Sequence, residues 1–202
     1  MVVMSHKVTG IDRLAFIRIP KTGGTSIISI IESLGRDNKD KLTYVCTEKH
    51  LNVIDLYDTF STPTFAFVRN PWDRAVSSWK FGSWHDDWNM SFLEFCRNLK
   101  ALEIYPSTKI ATSGLLLHVC EQHTFVINED TSTRADFIGK FESLQQDFNT
   151  VCSMVGLPPQ TLPHLNRTNH KHYTEYYDDE SRELVAERYT KDIEYFGYKF
   201  GE

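Results

Sequence analysis

Apolar residues fall in short dense runs that end on turn formers, and between these runs they recur at three- and four-residue spacing. Residues 14–19, LAFIRI, form one such run, broken by Pro20 and then Gly23 and Gly24, as a buried strand entering a loop would be. From Thr25 onward Ile27, Ile28, Ile31 and Leu34 keep helical spacing, and Gly35 stands where a left-handed C-cap residue is expected. The same order returns at residues 64–69, TFAFVR, which end at Asn70-Pro71; Pro71 suits the first position of a helix expected over Trp72–Phe81. Two more strands are predicted at TFVI (124–127) and DFIGKF (136–141). The second leads into a helix with Leu144, Phe148, Val151 and Val155 on one face, stopped by Gly156 and Pro158-Pro159. A last amphipathic helix is expected from Asp179 to about Tyr189, and the mixed stretch 82–120 reads as helical. Strands alternating with helices predict an α/β fold, a central and mostly parallel sheet with helices on both faces, in a single domain spanning 1–202.

Composition narrows the function more than the fold. Among 202 residues, 41% are hydrophobic and 13% aromatic, and no Pro/Gly/Ser-rich stretch divides the chain. A net charge of −5 argues against a surface that generally attracts nucleic acid or anionic membrane, so any anion site has to be local. Cys46, Cys96, Cys120 and Cys152 are far apart in sequence, which suggests neither a zinc site nor a disulfide framework and fits a reducing compartment. His118, His123, His170 and His172 lack metal-ligand spacing, so no metal is expected. With no signal-like N-terminus and no run of eighteen apolar residues, the chain as given reads as a cytoplasmic protein without a membrane segment.

Two segments carry anion-binding chemistry. In IPKTGGTSI the paired glycines precede a helix start, so the N–H groups from Gly23 to Ser26 are expected to point outward at the positive end of a helix dipole. Lys21 adds a cation, and the hydroxyls of Thr22, Thr25 and Ser26 add neutral donors. A plain strand-to-helix turn with a surface lysine is the competing reading. Lys21 precedes the glycines, which departs from the G-x-x-x-x-G-K-[ST] loop and disfavours ordinary ATPase or GTPase chemistry. In FAFVRNPWDRAVSSW a strand ends on Arg69, and the following helix carries Arg74, Ser77 and Ser78. Carboxyl ends of parallel strands gather at the ligand-binding edge of such sheets, so Arg69 can clamp a second phosphate, with Ser77 donating from the helix. Pairing of the arginines with carboxylates such as Asp73 is the alternative, and an organising role is expected for Arg74.

These segments resemble the carbohydrate-type sulfotransferases, the family 2 group that includes the heparan and chondroitin enzymes. IPKTGGTS looks like their 5'-phosphosulfate loop and FVRNPWDRAVSSW like their 3'-phosphate motif; DFIGKFESLQQDFNTVCSMVGLP, LPHLNRT and YYDDESRELVAERYTKDIEYFGY follow in the family's order. The resemblance implies a P-loop-kinase-like fold and a sulfuryl donor, 3'-phosphoadenosine-5'-phosphosulfate (PAPS). It further implies that residues 22–26 hold the 5'-phosphosulfate, that Lys21 stabilises the departing phosphate, and that Arg69 and Ser77 hold the 3'-phosphate. Within LPHLNRT, Arg167 is expected at the nucleotide, with His164, Asn166 and Thr168 beside it.

A hydroxyl acceptor needs a base, and His50 in TEKHLNVIDL lies where related glycan enzymes place a catalytic histidine. Glu48 is an alternative base or partner. Trp79, Phe81, Trp84 and Trp88 are candidates for stacking on sugar faces, although aromatics at helical spacing also build cores, and Glu142 reads as a capping or pairing residue. The implied acceptor is a hydroxyl, by analogy on a glycan. Two other functions remain open at this point: an ATP-dependent phosphotransferase of small-kinase type, and a nucleotide-binding protein without catalysis.

Overall fold

Strands β1 (Leu14–Ile17), β2 (Leu42–Val45), β3 (Thr64–Val68) and β4 (Phe137–Lys140) form a parallel sheet in the order β2-β1-β3-β4. The computed structural model describes residues 11–45, 62–84, 89–104, 116–127, 132–163 and 171–202. Its contacts gather into two compact units. One comprises the stretch up to Val68 and Thr124–Thr168; the other comprises Arg69–His123 and Asn169–Glu202.

The first unit holds the sheet. Leu14, Phe16, Phe65 and Phe67 share a face and pack with Ile27 and Ile31 of α1 (Gly24–Ser33) and with Phe148, Val151 and Cys152 of α6 (Leu144–Met154). Phe16 and Phe65 are register partners, and their rings stack at 5.1 Å. Ala15, Ile17, Ala66 and Val68, which alternate with that set, are equally buried. Burial of both sets is why these strands read as unbroken apolar runs. At the β3–β4 pairing a Cβ on Gly139 would lie 2.5 Å from the Phe67 ring, so only a glycine lets that ring cross the neighbouring strand. Asp147 of α6 then accepts from the Lys140 N–H at 2.7 Å and the Ser143 hydroxyl at 2.8 Å, fastening the end of β4 to the helix that follows.

The second unit is helical. It contains α2 (Pro71–Trp84), α3 (Phe92–Ile104), α4 (Leu116–Val119), α7 (Asp179–Arg188) and α8 (Thr190–Phe196) around a core of Trp72, Val76, Phe95, Leu99, Val185 and Tyr189. Asn70 caps α2 by accepting the Trp72 N–H at 3.1 Å, with Pro71 at the first helical position as expected. The helix at 144–154 and the one starting at Asp179 also lie where the apolar spacing predicts them.

Two local expectations differ from the structure, and two elements have no counterpart among the expectations. TFVI is not a strand: α5 (His123–Val126) is a single helical turn, and Ile127 makes only an isolated antiparallel bridge to Thr133. The reason lies far along the chain, where the Asp192 carboxylate accepts the N–H groups of Gln122 (2.7 Å) and His123 (2.8 Å) and so caps the turn. Gly35 takes no left-handed conformation; α1 ends at Leu34 with φ −61° and ψ 129°, an extended exit. Strand β2 and helix α8 were not anticipated.

Burial of Cys96 and Tyr189, and partial burial of Tyr177, in the helical unit predict alkaline lability. Desolvation pushes the Cys96 thiol from 9.0 up to about 12 and raises both phenols above their ordinary 10.0. The fold therefore holds the protonated forms, whereas the unfolded chain ionises once pH passes the ordinary values. Stability is complete below about pH 9 and falls above it, by up to ~1.4 kcal/mol per pH unit for each group. Urea melts between pH 8 and 11 should show the midpoint falling; a flat profile would contradict this account.

Candidate active site

The loop after β1 turns by alternating backbone hand. Lys21 has φ 69° and Gly23 φ 85°, while Thr22 between them stays at negative φ. That alternation folds successive N–H groups toward one concavity, a nest suited to an anion. Lys21 is the one non-glycine residue with positive φ among the described residues, a conformation that costs about 1–2 kcal/mol. Glycine is required at 23 for space as well, because a Cβ there would stand 2.7 Å from Leu144 Cδ2.

Hydrogen bonding refines the donor set. Ser26 does not offer its N–H, which donates to Gly23 O at 3.1 Å, and the Ile27 N–H reaches the same oxygen at 3.4 Å. The Thr22 hydroxyl is also committed, donating to Ile19 O at 2.9 Å from a fully buried position. Gly23, Gly24 and Thr25 keep N–H groups with no partner among the described residues. Helix α1 has no acidic residue in its first turn and no side-chain cap at Gly23, so nothing within the helix itself compensates its positive end. Thr25 is exposed and Lys21 half-buried.

Strand β3 is the parallel neighbour of β1, with Ile17 opposite Ala66, and the strand order reverses between them. Ligands of open α/β sheets bind outside the carboxyl ends of strands at such a reversal. The turn at Lys21 follows β1, and Arg69 is the residue immediately after β3.

In the helical unit Arg69 is buried, and its Nε donates to Asp73 at 2.8 Å. Its backbone N–H donates to Gln122 Oε1 at 2.9 Å, while its carbonyl accepts from Gln122 Nε2 at 2.8 Å. Asp73 thus pairs with Arg69. Arg74 instead donates to the carbonyls of Cys120 (2.8 Å) and Leu117 (3.4 Å), and burial lowers its pKa without removing the charge of a guanidinium. That is the organising role expected of Arg74. Ser78 is structural, its buried hydroxyl donating to His118 O at 2.8 Å, whereas the half-buried Ser77 hydroxyl bonds no described residue.

Other expected residues scatter. Trp79 belongs to the core, donating to Met90 O at 3.0 Å and packing on Phe92 and Tyr176, and Phe81 stacks on His118. His123 is bonded to the fully buried Asp192 at 2.9 Å, a role its position in sequence did not show. Glu142 is exposed, in the first turn of the short helical segment Phe141–Ser143. His50, Glu48, His164, Asn166, Arg167, Thr168, His170 and Trp88 lie outside the described residues, as does the side chain of Trp84. Among the described residues no His, Cys, Asp and Glu group could hold a metal, and no helix is long and apolar enough to cross a membrane.

Residues that sequence reasoning missed are those acting on Arg69. Asp73, four residues on, is the carboxylate partner the sequence offers for the arginines; Gln122 and Asp192, 53 and 123 positions on, gave no local signal and were missed.

An uncharacterized protein of Archaeoglobus fulgidus is 29% identical over 110 residues, covering 54% of this chain and 80% of that protein. A solved structure, the sulfotransferase from Alicyclobacillus acidocaldarius, aligns over 85% of this chain and 68% of its own length, with a TM-score of 0.47 and 13% identity. A family model described as the sulfotransferase family matches residues 5–199, a span that takes in the turn at Lys21, the Arg69 helix and both C-terminal helices. By that match the chain belongs to the sulfotransferase family, whose enzymes transfer sulfuryl groups.

Proposed function

We propose that this protein transfers a sulfuryl group from PAPS to a hydroxyl acceptor, and that the acceptor is a sugar. The observation that carries the reading is the Lys21–Thr25 turn, whose alternating hand, and whose Gly23, Gly24 and Thr25 N–H groups with no partner among the described residues at a helix start lacking acidic side chains, fit a phosphosulfate. When bound, PAPS supplies a sulfuryl group attached to a 5'-phosphate that can depart. Sulfuryl transfer resembles phosphoryl transfer in being a loose in-line displacement governed by positioning and electrostatics.

The N–H groups of Gly23, Gly24 and Thr25 hold the 5' end, and Lys21 stabilises the charge that develops on its bridging oxygen. Arg69, oriented by Asp73, and Ser77 hold the 3'-phosphate, which separates this donor from ATP. His50 accepts the acceptor's proton as the new S–O bond forms. Arg167 contributes a further cation to the nucleotide. The roles of His50 and Arg167, and the sugar acceptor, come from the family resemblance.

Calorimetry tests the reading. Adenosine 3',5'-bisphosphate should bind with or without Mg²⁺, ATP should bind weakly, and Arg69→Ala should lose about 1.5–3 kcal/mol of bisphosphate binding. His50→Ala should lower transfer by about 10²- to 10⁴-fold while leaving that binding intact. Tight, Mg²⁺-dependent ATP binding with none of the bisphosphate would favour a kinase. Bisphosphate binding without transfer to any glycan or small hydroxyl acceptor would favour a binding protein.

A further inference from the structure

Residue 69 presents a physical problem. Strand β3 ends at Val68, so the strand ladder no longer pairs the backbone beyond it, yet Arg69 is only 8% exposed. A buried N–H and C=O left without partners cost far more than a hydrogen bond gains. Gln122 meets both groups with its terminal amide, at 2.9 and 2.8 Å, and so stands in for a neighbouring strand over one residue. Gln122 is itself fully buried, and its own N–H donates to Asp192 Oδ2 at 2.7 Å. The other Asp192 oxygen takes the His123 N–H at 2.8 Å and faces His123 Nδ1 at 2.9 Å. A chain of fixed groups therefore runs from His123 and Asp192 through Gln122 to the backbone of Arg69, while Asp73 fixes Nε from the other end.

We infer that Gln122 is a positioning residue for the 3'-phosphate: it sets the backbone from which the Arg69 guanidinium projects, and thereby the preference for a 3'-phosphorylated nucleotide. This rests on the PAPS reading given above. A charge-assisted contact depends on geometry, and a guanidinium whose backbone can rotate loses alignment although its charge is unchanged.

Gln122→Met keeps the volume and removes both bonds to residue 69. Gln122→Glu keeps the acceptor for the Arg69 N–H and removes the donor to its carbonyl. The probes are adenosine 3',5'-bisphosphate and adenosine 5'-monophosphate, which differ only in the 3'-phosphate. Gln122→Met should reduce the preference for the bisphosphate by roughly tenfold, about the loss of one well-aligned charged contact, with 5'-monophosphate affinity within about twofold of wild type. KM for PAPS should rise by a similar factor at nearly unchanged kcat, and Gln122→Glu should fall between wild type and Gln122→Met.

Equal weakening of both nucleotides, or no change in preference, overturns the inference, since a residue that merely stabilises the fold does not act on the 3'-phosphate alone. If Gln122→Met does not fold, Gln122→Glu decides on the same ratio. Failure of the underlying reading looks different: Arg69→Ala would then leave the bisphosphate preference intact whatever Gln122 does.

Discussion

Lys21→Gly should leave the protein at least as stable as wild type while sulfuryl transfer falls by about 10²- to 10³-fold, the cost of removing one preorganised charge from a transition state. The stability half of this expectation comes from φ 69° at Lys21. A glycine relieves about 1–2 kcal/mol of left-handed strain and returns about 0.5–1 kcal/mol through its greater freedom when unfolded. The balance is zero to about 1.5 kcal/mol in favour of the variant. Lys21→Ala retains the strain and loses the cation, so it should match Lys21→Gly in activity and fall below it in stability. Initial rates at saturating PAPS, with urea melts of both variants, check the pair. Transfer within a few-fold of wild type in both variants would remove Lys21 from the chemistry.

Gly23→Ala should destabilise the sheet unit by about 2–5 kcal/mol, combining left-handed strain for a non-glycine residue with overpacking. Both causes are local and separable. Position 23 has φ 85°, and an added Cβ would lie 2.7 Å from Leu144 Cδ2 and 3.4 Å from the Phe141 ring. Leu144→Ala removes the contact and leaves the strain. A double-mutant cycle should therefore show favourable coupling of about 1–3 kcal/mol, with part of the Gly23→Ala loss persisting in the double variant. Binding should also respond differently from Gln122→Met. On the proposal that the nest holds the 5' end, its distortion should lower bisphosphate and 5'-monophosphate affinities together. No coupling between the two positions would mean that the backbone, not Leu144, absorbs the added carbon.

What was legible in the sequence is what local chemistry dictates. LAFIRI and TFAFVR read as strands because β1 and β3 are buried on both faces and so carry no polar alternation to confuse the pattern. LTYV escaped notice because β2 is a four-residue strand at the sheet edge, after a polar turn, with Thr43 exposed. TFVI misled for the opposite reason. Its β-branched and aromatic residues favour a strand, but the Asp192 carboxylate caps the N–H groups at its start and turns it into one helical turn.

The site divides the same way. By itself the sequence determined the parallel α/β order and the positions of the Gly-rich turn and of Arg69, because apolar period, glycine and proline act within a few residues of themselves. Only the tertiary structure decided which donors of the turn remain open, that Lys21 rather than a glycine carries left-handed strain, and that Arg69 is clasped by Gln122 and paired with Asp73. Those outcomes depend on hydrogen-bond partners up to 70 positions apart, as Gln122 and Asp192 are. A buried polar group must find a partner somewhere in the fold, but nothing near it in the chain says which one.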